Sequence, residues 1–152
     1  MIHPTETLSA ADIGERLKLA GLRSTEPRRA VVAALQTGGH WSAGDVFDAV
    51  SKDLTGTSVQ AVYGILSALN EAGLARKIEP PGSPALYELR IGDNHHHLVC
   101  TECGDIRDVP CVVGEAPCLA ASETHGYTIA VAEVTYHGVC PDCQLVSEGV
   151  AA

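Results

Sequence analysis

Four cysteines in two Cys-x-x-Cys pairs, Cys100/Cys103 and Cys140/Cys143, carry the clearest chemistry in this 152-residue chain. Thiolates separated by two residues can grip one ion from a single tight turn. Two such turns complete a tetrahedral four-sulfur site, the usual geometry of structural Zn(II). A triple histidine, His95-His96-His97, stands just ahead of the first pair. In an extended stretch His95 and His97 share one face and His96 takes the other. An ion already holding four sulfurs has no room for them, so His95 and His97 are expected to serve a second, different metal. A solvated histidine run is the plain alternative. A locked ion beside an open one suggests a sensor. Cys111 and Cys118 lie outside both pairs and read as free thiols, with a redox pair as the other reading.

The elements that must position these residues fall into two halves. Residues 7–20 read as a helix, with Ile13 and Leu17 on one face and Gly21 as its stop. Pro27 opens a second helix striped by Val31 and Leu35, which Gly38-Gly39 ends. Ser42-x-x-Asp45 resembles a capping box for a third, with Val46, Phe47 and Val50 facing inward. A fourth is expected from about Ser58 to Ala72 on Val59, Val62, Leu66 and Leu69, closed by Gly73. Residues 74–78 and 85–89 then flank a Pro/Gly-rich turn and suit a hairpin. Helices followed by a hairpin is the order of a winged helix-turn-helix. Beyond a plausible hinge at 91–94, short strands are expected at 98–100 and 106–109 and a helix over 114–125. A long strand within 127–139 would invite pairing with a second copy. The fold class is thus α+β: a winged helix-turn-helix domain over 1–90 and a C-terminal α/β dimerisation and metal-binding domain over 95–146. A flexible tail over 147–152 follows.

Bulk properties fit this division. Net charge is −9, but residues 1–92 are near neutral at −1 and residues 93–152 carry −8. The acidity sits with the metal ligands, while the first half is free to present a basic face to DNA. No apolar run reaches the length of a membrane span, so no membrane partner is expected. No secretory signal opens the chain, so a reducing, cytoplasmic setting is expected, where paired cysteines favour metal over disulfide. The 36 residues between the pairs exceed ordinary zinc-ribbon spacing, so the intervening segment must itself fold.

Asp93-Asn94-His95-His96-His97-Leu98-Val99-Cys100-x-x-Cys103-Gly104, Cys140-Pro141-Asp142-Cys143 and Ser58-Val59-Gln60-Ala61-Val62-Tyr63 together resemble the ferric uptake regulator (Fur) family. The resemblance spans roughly residues 8–143. Asp93–Cys100 with Val113–Cys118 looks most like the actinobacterial branch that represses catalase-peroxidase genes. The resemblance implies a regulatory site of His40, Glu88, His95, His97 and Asp108, a mixed nitrogen and oxygen set suited to Fe(II) or Mn(II). Peroxide-sensing members resemble this chain in carrying aspartate at the Asp108 position, where iron sensors usually have glutamate. In those sensors, bound Fe(II) and peroxide lead to oxidation of a ligand histidine, here His40 or His95, and DNA is released. A further site of the family would match His96 and Glu115. It lacks the usual histidine, replaced by Ala132, for which His125 is the only substitute suggested.

For DNA, the start of the fourth helix offers Ser58, Gln60 and Tyr63 to base edges, with the resemblance supporting Tyr63. Gly64 follows where many relatives have arginine. Arg23, Arg28 and Arg29 around the second helix, and Arg76 and Lys77 on the wing, are the phosphate candidates. The reading is a homodimeric, metal-dependent repressor, not an enzyme, that binds a two-fold symmetric operator in double-stranded DNA and senses peroxide. The alternatives are an iron-responsive repressor without peroxide sensing, or a zinc enzyme or thiol oxidoreductase.

Overall fold

The computed structural model describes residues 7–90, 95–110, 121–129, 132 and 134–149. It divides into two compact units, Met1–Glu79 with Pro84–Ile91, and Pro80–Ser83 with Gly92–Ala152. The hinge expected at 91–94, together with Cys111, Glu115 and Cys118, lies outside the described residues.

The first unit contains α1 (Ala10–Leu19), α2 (Glu26–Leu35), β1 (Trp41–Ser42), α3 (Ala43–Val50), α4 (Val59–Glu71), β2 (Ala75–Ile78) and β3 (Leu86–Leu89). Local chemistry sets its boundaries. Ser9 and Ser42 each close a capping box, with Asp12 and Asp45 respectively, satisfying backbone donors that the first helical turn leaves over. Ser58 caps α4 through its hydroxyl, which accepts from the Ala61 amide at 3.1 Å. Gly73 takes a φ of +75° just past α4, a left-handed turn that releases the chain into β2. Ile13, Leu17, Val31, Leu35, Val46, Val62, Leu66 and Leu69 meet in one core with Tyr87 and Leu89 of β3. Val59 departs from the stripe expected of α4: it sits in the helix's first turn and is 37% exposed.

The hairpin is present as expected, β2 pairing antiparallel with β3, and the sheet has a third strand that the sequence reading missed. β1 pairs with the other edge of β3, Trp41 opposite Tyr87, giving the order β1-β3-β2. At two residues β1 is too short to show a period-2 pattern.

The second unit holds β4 (His95–Cys100), β5 (Ile106–Pro110), β6 (Thr135–Gly138) and α5 (Pro141–Gly149). β4 is central, antiparallel to β5 and parallel to β6. Three expectations meet corrections here. The strand expected within 127–139 is confined, among the described residues, to 135–138. Residues 121–129 are irregular and exposed throughout, and β-branched residues with nothing to bury against do not form a strand on propensity alone. Residues 121–125 are likewise not helical, and the rest of that expected helix, 114–120, lies outside the described residues. Finally, α5 runs to Gly149, through the first residues of the expected tail. Its start follows from Pro141 at the first helical position and Asp142 in the first turn.

Candidate metal centres and DNA-facing surface

The four paired cysteines come together in the second unit. β4 delivers Cys100, and a turn closed by Gly104 at a φ of +76° folds Cys103 back over it. Its amides tighten the turn: Gly104 donates to the Cys100 carbonyl at 3.0 Å and Cys100 donates to Asp105 at 2.9 Å. The parallel register sets Gly138 opposite Cys100, which carries the chain on to Cys140 and, at the start of α5, Cys143. The Cys140 amide donates to Cys100 Sγ at 3.3 Å. All four sulfurs lie within 4.8 Å of one another, and Cys103 Sγ is 3.7 Å from Cys140 Sγ. A tetrahedron with zinc–sulfur arms of about 2.3 Å has edges of about 3.8 Å, so this spacing fits a zinc ion. All four are thiols without disulfides.

Their protonation is graded. Amides of Cys103 and Cys140 pull the Cys100 thiol down to about 6. The Cys140 and Cys103 sulfurs push Cys143 well above the ordinary thiol range, and burial adds to this. Cys103 is also raised: the Asp105 amide pulls it down, but the sulfurs of Cys100 and Cys140 outweigh that. Several thiolates at such range need a shared cation to coexist.

His40 and Glu88 are brought together within the first unit. Gly38 and Gly39 both take positive φ, and Trp41 Nε1 donates to the Gly38 carbonyl at 2.9 Å, pinning the turn that leads into β1. Pairing of β1 with β3 then sets His40 beside Glu88, with Nε2 3.3 Å from Oε2. Glu88 is only 6% exposed, unusual for a carboxylate on a wing strand. Its other oxygen, Oε1, accepts from Arg76 Nη1 at 3.3 Å. The sequence reading missed the Arg76–Glu88 pair: both charges were visible on the two hairpin strands, but not the register that sets them opposite.

His97 and Asp108 are brought together within the second unit. They are directly opposite in the β4–β5 register, with Nε2 3.6 Å from Oδ1. His97 is 3% exposed, and Asp108 reaches it from a half-exposed position. His95 lies on β4, but its side chain is outside the described residues. His96 points to the other face, as alternation requires, and meets the Tyr136 ring edge-on at 6.3 Å between centroids. His125 sits in an exposed turn at a φ of 47°, with Nδ1 3.4 Å from Glu123. Among the described residues, His96 and His125 join no cluster of metal-ligating groups.

At the start of α4, Ser58, Gln60 and Tyr63 are exposed, Tyr63 by 42%. The Ser58 hydroxyl is engaged in capping the helix. Arg28 Nη1 donates to the Arg23 carbonyl at 3.1 Å and Arg29 Nη1 to Ser24 at 2.6 Å, so both brace the loop before α2 while Arg23 itself is exposed. On β2 the neighbours Arg76 and Lys77 take opposite faces. Lys77 is exposed and meets Glu79 at 2.8 Å, whereas Arg76 turns onto Glu88.

The profile of the Ferric uptake regulator family matches residues 19–137. The transcriptional regulator FurA of Mycobacterium tuberculosis is 53% identical over 137 residues, covering 90% of this chain and 93% of that protein. Ferric uptake regulation protein 2 of Mycolicibacterium fortuitum is 48% identical over 144 residues, covering 90% and 96%. The solved structure of the Helicobacter pylori ferric uptake regulator superposes with a TM-score of 0.66 at 23% identity, covering 91% of this chain and 95% of that one, and shares the fold. The α+β architecture, the four-cysteine cluster and the family match agree: this chain belongs to the ferric uptake regulator family of metal-dependent transcriptional regulators.

Proposed function

We propose that the protein is a homodimeric repressor that holds DNA in its metal-loaded form and releases it on oxidation by peroxide, controlling catalase and other oxidative-stress genes from the cytoplasm. In this reading Cys100, Cys103, Cys140 and Cys143 hold Zn(II) as a fixed structural ion. His40, Glu88, His95, His97 and Asp108 are the ligands of a regulatory Fe(II) or Mn(II). The observation that carries it is Asp108 facing His97 across β4 and β5, because aspartate at this position marks the peroxide-responsive pattern. The His40–Glu88 pair, with its buried carboxylate, supplies the same mixed imidazole and carboxylate chemistry from the first unit.

Imidazole nitrogens of His40, His95 and His97 would bind the ion as neutral donors, and Glu88 and Asp108 would offset its charge. When bound, Fe(II) supplies the electron that reduces hydrogen peroxide and generates the oxidant. His40 and His95 are the side chains at risk. An imidazole that gains oxygen is a poorer ligand, so the loaded state loses its advantage. The ion shifts DNA affinity only by its preference for the DNA-competent arrangement, typically about 1–3 kcal/mol per site. Two copies of the α4 face, led by Tyr63 and Gln60, would read a two-fold symmetric operator.

The test is DNA binding by zinc-retaining protein loaded with Fe(II) or Mn(II), before and after hydrogen peroxide. The Fe(II) form is expected to lose its gel shift and to show one added oxygen on the peptide of His40 or His95. The Mn(II) form is expected to keep both unchanged. Equal resistance of the two forms would remove peroxide sensing and leave an iron-responsive repressor.

A further inference from the structure

We propose that Arg76 is a positioning residue for the regulatory ion: its guanidinium holds one oxygen of Glu88 so that the other is presented to the metal. The inference rests on Glu88 being a ligand, as in the function proposed above.

Arg76 and Glu88 are direct partners in the β2–β3 register. The two carboxylate oxygens face different groups: Oε1 is 3.3 Å from Arg76 Nη1, and Oε2 is 3.3 Å from His40 Nε2. A carboxylate buried this deeply needs a counter-charge wherever it is to act as an anion. Arginine meets that need, since it stays charged and holds Oε1 through Nη1. With Oε1 held, Glu88 can offer a metal only Oε2, the oxygen that already faces His40. Released, the carboxylate would be free to turn and to bind through both oxygens. Partners that orient a ligand in this way are worth roughly 10–100-fold in metal affinity.

An opposite effect competes. The positive charge of Arg76 repels a nearby dication, so if charge alone mattered its removal would tighten binding. The direction of the change therefore separates positioning from simple electrostatics.

The experiment titrates Co(II) into full-length, zinc-retaining protein and follows the ligand-field absorption. The variants are Arg76→Met, Arg76→Lys, Glu88→Gln and the double variant Arg76→Met/Glu88→Gln. Arg76→Met is expected to weaken Co(II) binding roughly 10–100-fold and to change the band shape as Glu88 turns. Arg76→Lys, which keeps the charge and a donor, is expected to restore most of the affinity. In the Glu88→Gln background, removing Arg76 is expected to add no further loss, which a merely stabilising role would not produce. Unchanged or tighter binding by Arg76→Met, or losses that add in the double variant, would overturn the proposal while leaving Glu88 as a ligand. If Glu88→Gln alone leaves Co(II) affinity intact, the ligand assignment itself fails and the inference falls with it. Should Arg76→Met not fold, Arg76→Gln, a shorter neutral donor, replaces it with the same expected direction.

Discussion

The two units reach stability by different routes. The first is built on buried aliphatic side chains, with a core running from Ile13 to Leu89 through four helices and a sheet. In the second, the buried apolar side chains among those described are Pro80, Val99 and Cys100, and α5 buries none. Leu98, Tyr136, Leu145 and Val146 are exposed instead. Among the described residues, the first unit is joined by an apolar core and the second by four sulfurs placed to share one ion. A domain of this size can stand on either basis, and with zinc bound as proposed the second would tie its fold to metal supply.

Removal of zinc should break the comparison most sharply. Structural zinc contributes about 10–16 kcal/mol in small metal-folded modules. Chelation or Cys103→Ser is expected to abolish amide protection in β4, β5 and β6 and leave the helices of the first unit protected. Hydrogen exchange read segment by segment checks it, and equal retention in both units would dissolve the distinction. The converse probe is Leu66→Ala, a fully buried residue of α4. It should cost the first unit about 2–5 kcal/mol, seen by denaturant unfolding, with no change in zinc retention.

Acidity sharpens the contrast. With Cys100 at about 6, its thiol is already ionised at neutral pH, whereas the raised Cys103 and Cys143 still carry protons. Metal uptake must release at least those protons, so zinc affinity should fall at least roughly a hundredfold per pH unit on acidification, and more steeply below pH about 6 as Cys100 protonates too. Competition with a chromophoric chelator across pH measures the slope. The smallest effect belongs to the first unit. Gly64 lies exposed in α4 with open space where a Cβ would go, so Gly64→Ala should raise its stability by about 0.5–1 kcal/mol in thermal unfolding.

The same contrast explains what was legible in the sequence. In the first unit, the cap at Ser42, the 3.6-residue spacing of Val62, Leu66 and Leu69, and the Pro/Gly turn all act locally, and each appears where expected. The cysteine pairs were legible because a metal imposes its own spacing on the chain. Long-range pairing was not. β1 owes its existence to β3, some 45 residues away in sequence, and nothing in Trp41-Ser42 announces a strand. The β-prone residues Tyr127 and Ile129 misled for the reverse reason, since among the described residues of this chain they stand exposed with no strand beside them. Arg76 read as a wing cation because sequence shows its charge but not the register that gives it to Glu88.

The parallel pairing of β4 with β6 has a consequence for synthesis. On the ribosome Cys100 and Cys103 emerge well before Cys140 and Cys143, and the sheet that aligns them needs its last strand. Joining the pairs across the 36-residue span costs about 4 kcal/mol of chain entropy. For that interval the nascent knuckle is an exposed dithiol, open to the oxidants that the finished protein is proposed to report.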